Sequence, residues 1–190
     1  MAILGVIPAI AVILLATGKG LYQVEGRRQD ARADLSLPFI FPGTVLALRS
    51  LWDFEFLEWM PIFKLAIVGS MVLTILVVAA DRGMRERRWA FLAFLFLSFF
   101  YAFGGIAQAN ALLDHSEGKV FEVPVLAKRI SSGRSTTYYL QVGPWGPRTE
   151  PNEVSASRSL YQAVPVGQNV CVLLWKGALG APWFVVRTCQ

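Results

Sequence analysis

Histidine, cysteine and charge are all scarce in this chain: among 190 residues there are one histidine and two cysteines, and charged side chains make up 16%. That scarcity removes whole classes of chemistry. A structural zinc site needs several ligands drawn together, and His115 has no second histidine to join it. His115 is also the one imidazole base, and no Gly-x-Ser-x-Gly elbow, phosphate-binding loop or CxxC pair accompanies it. Neither an enzyme nor a bound cofactor is expected. Asp114 and His115 read instead as a polar collar where an apolar segment ends.

What the chain has in quantity is apolar sequence, with 55% hydrophobic residues unevenly spread. Residues 61–80 carry one charge, Lys64, and residues 89–113 carry none. Between them stand Arg82, Arg85, Arg87 and Arg88. Each apolar run matches the ~20 residues that cross a bilayer core, and arginines in a short loop hold that loop on the cytoplasmic side. The pattern predicts a transmembrane helical hairpin with everything after residue 113 outside the cytoplasm. The net charge of +5 is not read as a nucleic-acid footprint. Its clusters, this loop and Arg27, Arg28 and Arg32, flank apolar segments and suit topogenic signals or anionic lipid head groups.

Two further segments decide how often the chain crosses. Residues 2–17 are apolar, with no preceding positive charge and no convincing cleavage site, so they are expected to stay in the protein. Residues 35–60 are ambiguous, because Pro38 and Pro42 are expected to break their start and Arg49, Asp53, Glu55 and Glu58 interrupt their later half. In a four-crossing arrangement this segment spans, and Lys19, Arg27, Arg28 and Arg32 lie inside. In a three-crossing arrangement it is an interfacial helix that buries Val45, Leu48, Trp52, Phe56 and Trp59. The charge count favours four. Arg49 and Asp53, four residues apart, share a helical face and are expected to pair at membrane or interfacial depth.

Residues 114–190 alternate polar and apolar positions with Gly and Pro punctuation, which predicts a small all-β domain after the helical domain of residues 1–113. Strands are expected at 119–130, 136–142, 168–175 and 183–188, with a weaker one from Val154 and a short helical turn capped by Ser157. Such a set suits a small barrel or sandwich of oligonucleotide-binding-like or SH3-like shape. Centring the last hairpin near Gly180 sets Trp175 opposite Val185 and Cys171 opposite Cys189. A Cys171–Cys189 disulfide is therefore expected, contributing roughly 2–3 kcal/mol. Trp145, in the loop GPWGP, is either an exposed anchor or a plug over one end of the barrel. With Lys128, Arg129 and Arg134 it forms the candidate partner-binding set.

At VPVGQNVCVLLWKGALGAPWFVV the chain resembles the carboxy-terminal β domains of bacterial inner-membrane proteins of unknown function, and more loosely the NfeD-like membrane proteins. Val166 and Gly167 entering a strand, the turn at 177–182 and Trp183 carry the resemblance. It implies an oligonucleotide-binding-like fold following a helical bundle; the NfeD-like domain usually faces the cytoplasm, whereas the arginine loop here places the domain outside. The leading functional expectation is a bacterial inner-membrane protein that presents a periplasmic β domain to another envelope protein, with self-association left open. An immunity protein against a membrane- or periplasm-acting toxin is the second, and a channel or transporter subunit the third. The four-crossing arrangement predicts that alkaline phosphatase fused after Asp30 is inactive while a cytoplasmic reporter fused there is active; the reverse result selects three crossings.

Overall fold

The computed structural model describes residues 2–18, 22–23, 33–34, 36–80, 88–133 and 136–189. They form two compact units. The first comprises Met1–Phe54, Glu58–Leu113 and Ala178–Ala181, the second Glu55–Leu57, Asp114–Gly177 and Pro182–Gln190. A single boundary after residue 113 does not describe this division, because two short segments change sides.

The helical unit contains α1 (Ala2–Thr17), α2 (Ser36–Asp53), α3 (Met60–Ala80) and α4 (Arg88–Leu112). Two-residue strands β1 (Tyr22–Gln23) and β2 (Ala33–Asp34) pair in parallel between α1 and α2. Among the described residues, α3 and α4 are the two helices long and apolar enough to cross a membrane. On α3, Ile62, Ala66, Ser70, Thr74 and Val77 recur at helical spacing and are buried, while Ile67, Val68, Met71, Val72 and Ile75 are exposed. An apolar outer face of this kind matches hydrocarbon rather than water.

Helix α4 is the hub of this unit, and small residues make that possible. A Cβ on Gly104 would stand 2.4 Å from the backbone nitrogen of Ala47 on α2. Ser50 Oγ, also on α2, donates to Gly104 O at 3.1 Å. On the other side, a Cβ on Gly69 of α3 would meet Ala102 Cβ at 3.3 Å. Contacts of this closeness are how helices associate where lipid supplies no hydrophobic drive. Helix α1 adds Ala11 and Leu15 to a cluster with Val77 and Phe94.

Two expectations for residues 35–60 change. Pro42 lies inside α2 instead of breaking it, and Pro38 sits in the first turn, where no amide hydrogen is needed. The helix ends at Asp53, so Phe56 and Trp59 do not continue its stripe: Phe56 enters a strand, and Trp59 stacks on Phe103 with ring centroids 5.7 Å apart. Leu46, Ala47 and Ser50 are buried, as are Pro42 and Gly43, whereas Leu48 and Trp52 are exposed.

The second unit holds β3 (Glu55–Phe56), β4 (Lys119–Ser132), β5 (Thr136–Val142), β6 (Asn152–Ala156), α5 (Arg158–Ala163), β7 (Asn169–Trp175) and β8 (Trp183–Thr188). One antiparallel sheet in the order β3-β8-β7-β4-β5-β6 curls into a half-barrel. Strand β4 serves both halves: Lys119 to Pro124 pair with β7, and Val125 to Ser132 pair with β5. The register shifts between Val125 and Ala127, and such a bulge bends a strand around a barrel corner. Val123, Val125, Leu140, Val142, Val154, Val170, Val172 and Phe184 fill the interior by the two-residue alternation of each strand. Ser157 caps α5, its Oγ accepting from Leu160 N at 3.2 Å.

The β7–β8 register differs from the expected one by two residues: Trp175 faces Trp183, Leu173 faces Val185 and Cys171 faces Arg187. Gly177 and Gly180, both at positive φ, tighten the connection so that pairing starts at once. A slip of two keeps every side chain on its own face. Cys171 and Cys189 are therefore diagonal rather than opposite, yet they are joined by a disulfide with Cα atoms 5.0 Å apart.

Gly104→Leu should lower the thermal stability of the detergent-extracted protein by about 1–3 kcal/mol, since α2 must move off α4. Gly105→Ala, where an added Cβ meets nothing within 4 Å, is the matched control and should leave the unfolding midpoint unlowered, with a small rise from helix propensity.

Candidate binding surface

The alternation that sends Val170 and Val172 inward turns Cys171 and Leu173 to the outer face of the sheet. Glu122 lies opposite Cys171, and its carboxylate and the two sulfurs of Cys171 and Cys189 lie within 4.8 Å of one another. While the sulfurs are bonded to each other neither is a thiolate, so this trio offers a metal one carboxylate and no more. Further along, Trp175 and Trp183 stack with centroids 4.5 Å apart. Trp183 Nε1 donates to Asp114 Oδ2 at 3.0 Å, and Gly177 N donates to the same oxygen at 2.7 Å. Burial alone raises the Asp114 pKa, but these bonds and those from Ser116 outweigh it and hold the carboxyl below its ordinary value.

Three of the four candidate partner-binding residues, Trp145, Lys128 and Arg129, are engaged within the unit. Trp145 is not an exposed anchor: it is 4% exposed, packs between Phe121 and Phe184 and donates from Nε1 to Asn152 Oδ1 at 3.0 Å. The loop that holds it folds back through paired backbone bonds between Trp145 and Arg148, which turns the indole inward. Lys128 donates to the carbonyls of Tyr161 and Val164 at the carboxy-terminal end of α5 and stands over the Tyr161 ring. Cations are favoured at that end of a helix. Arg129 makes a two-pronged ion pair with Glu153 and covers Tyr139. Arg134 lies outside the described residues, as do Arg82, Arg85, Arg87, Lys19, Arg27, Arg28 and Arg32, whereas Arg88 opens α4.

Free apolar surface lies elsewhere, along β4. Val120, Leu126 and Ile130 are 59%, 45% and 51% exposed. Val166 is exposed as well, in a turn whose Gly167 N donates to Val125 O. Residues Arg129 to Ser132 of β4 are all exposed, so the β4–β5 hairpin extends beyond the core that fills the barrel.

Two anchoring residues escaped the sequence reading. Glu55 of β3 reaches the opposite end of the sheet, where its Oε1 accepts from Ser155 N at 2.7 Å and from Ser155 Oγ. Leu57 N donates to Pro182 O at 2.8 Å on the same side. The run Phe54-Glu55-Phe56 does alternate, which is the signal that was available. Asn110, fully buried in the helical unit, accepts on Oδ1 from Leu179 N and Ala181 N and donates from Nδ2 to Ala181 O. Its side chain thereby satisfies backbone groups of a segment that has left the sheet.

In the helical unit Arg49 and Asp53 pair as expected, Nε to Oδ2 at 2.5 Å. Ser50, Ser70, Thr74 and Ser98 are engaged in bonds within and between helices. Gln108 Nε2 is the one buried side-chain polar atom among the described residues without a partner. No family model, curated protein or solved structure matches the chain.

Burial raises the Glu55 pKa despite the two bonds from Ser155, so the folded state holds this proton more tightly than the unfolded chain. The folded form then binds more protons, and stability falls as pH rises from the ordinary value of 4.5 through the raised one. Glu55→Gln keeps an oxygen for Ser155 without the charge. Thermal unfolding of the full chain in detergent between pH 4 and pH 8 should show the variant gaining on the native protein as pH rises; parallel curves would refute this.

Proposed function

We propose that this chain is a multi-pass membrane protein of the bacterial inner membrane whose β unit lies outside the cytoplasm and docks another envelope protein. The two apolar helices and the arginine-rich segment between them support the orientation. A disulfide fits the same side, since such bonds persist in oxidising compartments. Packing of α2 along α4 through Gly104 and Ser50 favours α2 as a further crossing over a helix lying on the surface.

The observation that carries the binding role is the exposed aliphatic surface of β4 and its neighbouring turn: Val120, Leu126, Ile130 and Val166. Isolated exposed aliphatics are ordinary, but Leu126 and Val166 flank the backbone bond from Gly167 N to Val125 O, and together they mark a surface that gains by being covered. The basic residues at the root of the hairpin, Lys128 and Arg129, hold it in place through their partners in α5 and β6 and are scaffold rather than contact. A photo-crosslinking amino acid at Leu126 or Ile130 in native membranes should give one discrete protein adduct, weakened by Val166→Asp, and a probe at exposed Glu150 should give none. Adducts absent from both positions, or equally abundant at Glu150, would remove the basis for the docking role.

A further inference from the structure

The outer side of α2 has no part in this docking role. Val45, Leu48, Arg49, Trp52 and Asp53, spaced at helical intervals, line a shallow, open recess along this one helix. Trp52 is 80% exposed, and the side chains of Arg49 and Asp53 are 50% and 39% exposed although they pair with each other. Their contact engages Nε and Oδ2. The terminal amino groups of the guanidinium, four of its five N–H donors, and the second carboxylate oxygen take no part in it.

We propose that this recess binds the head group of a phospholipid carrying a primary ammonium, of the phosphatidylethanolamine type. The phosphate accepts from the terminal amino groups of Arg49, and the ammonium donates to Asp53. The first acyl methylenes lie along Val45 and Leu48. The Arg49–Asp53 pair is a dipole of adjacent positive and negative groups, and a zwitterionic head group presents its complement. A choline head group has no N–H to donate to the carboxylate, and a glycerol head group offers neutral hydroxyls but no cation, so neither gives the second oxygen of Asp53 a charged donor.

Depth agrees with this assignment. Helix α2 ends at Asp53, and an exposed indole one residue before that end suits the head-group level, where tryptophan concentrates. Arg49 lies about one turn deeper, within reach of phosphate for a long side chain that extends toward the interface. The inference rests on the membrane placement of α2 proposed above and is independent of whether β4 docks a partner.

The test uses the full chain in nanodiscs containing phosphatidylethanolamine, phosphatidylcholine and phosphatidylglycerol in equal amounts, with retained lipid quantified by native mass spectrometry. The native protein should retain phosphatidylethanolamine in excess. Asp53→Asn should reduce that excess roughly two- to fivefold and shift retention toward phosphatidylglycerol, while Arg49→Gln should lower retention of all three lipids. No excess in the native protein, or an equal excess in both variants, overturns the proposal, as does a second protein held in place of lipid. A nitroxide on Leu51→Cys reports depth separately, because the native cysteines are bonded to each other. A label accessible only from water would refute the membrane placement of α2 and the head-group site together, whereas a lipid-accessible label with unselective retention refutes the site alone.

Discussion

The second unit depends on three residues that arrive from the loop between α2 and α3. A curled sheet that does not close on itself leaves two edges, each with backbone donors and acceptors lacking partners. Glu55 and Phe56 pair with Phe184 and Trp183 at one edge, and the Glu55 side chain accepts from Ser155 at the other. A two-residue strand and one carboxylate thus span a gap that an ordinary hairpin would need a much longer segment to fill. Arg148 adds a donor to Leu57 O near the same seam. The cost is a desolvated carboxyl, which accounts for its raised affinity for a proton.

The helical unit is organised on a different principle. Where lipid surrounds helices, they cannot gain by hiding apolar side chains, and contact is decided by how near the backbones come. Gly43, Gly69 and Gly104 provide that nearness, with hydroxyls of Ser50, Thr74 and Ser98 bonded across the same contacts. Aromatic rings of Phe63, Phe99 and Phe103 stack between α3 and α4 at 5.4–6.2 Å. Such rings add offset contacts that tolerate small shifts better than the glycine crossings do.

Strands β4, β5, β7 and β8 were legible to within a residue or two, because each is a run rich in β-branched and aromatic residues bounded by Gly, Pro or Ser, and the Ser157 cap was legible for the same local reason. The Cys171–Cys189 pairing survived a register that was two residues off, since the pleat repeats every second residue. What stayed hidden is nonlocal. Nothing near Glu55 states that its partner is Ser155, a hundred residues on, and nothing in GPWGP states that Trp145 faces Phe184. Proline pattern misled at Pro42 because packing against α4 begins with the next residue, Gly43, and the helix continues through it.

The chain order of the sheet also dictates when it can be finished. The segment at 55–57 leaves the ribosome before its partners in β8, which come more than a hundred residues later, after two apolar helices have been made. At ordinary synthesis rates that interval is roughly ten seconds. Throughout it the early strand must wait without its neighbour, so this edge of the sheet can pair only once β8 has been made.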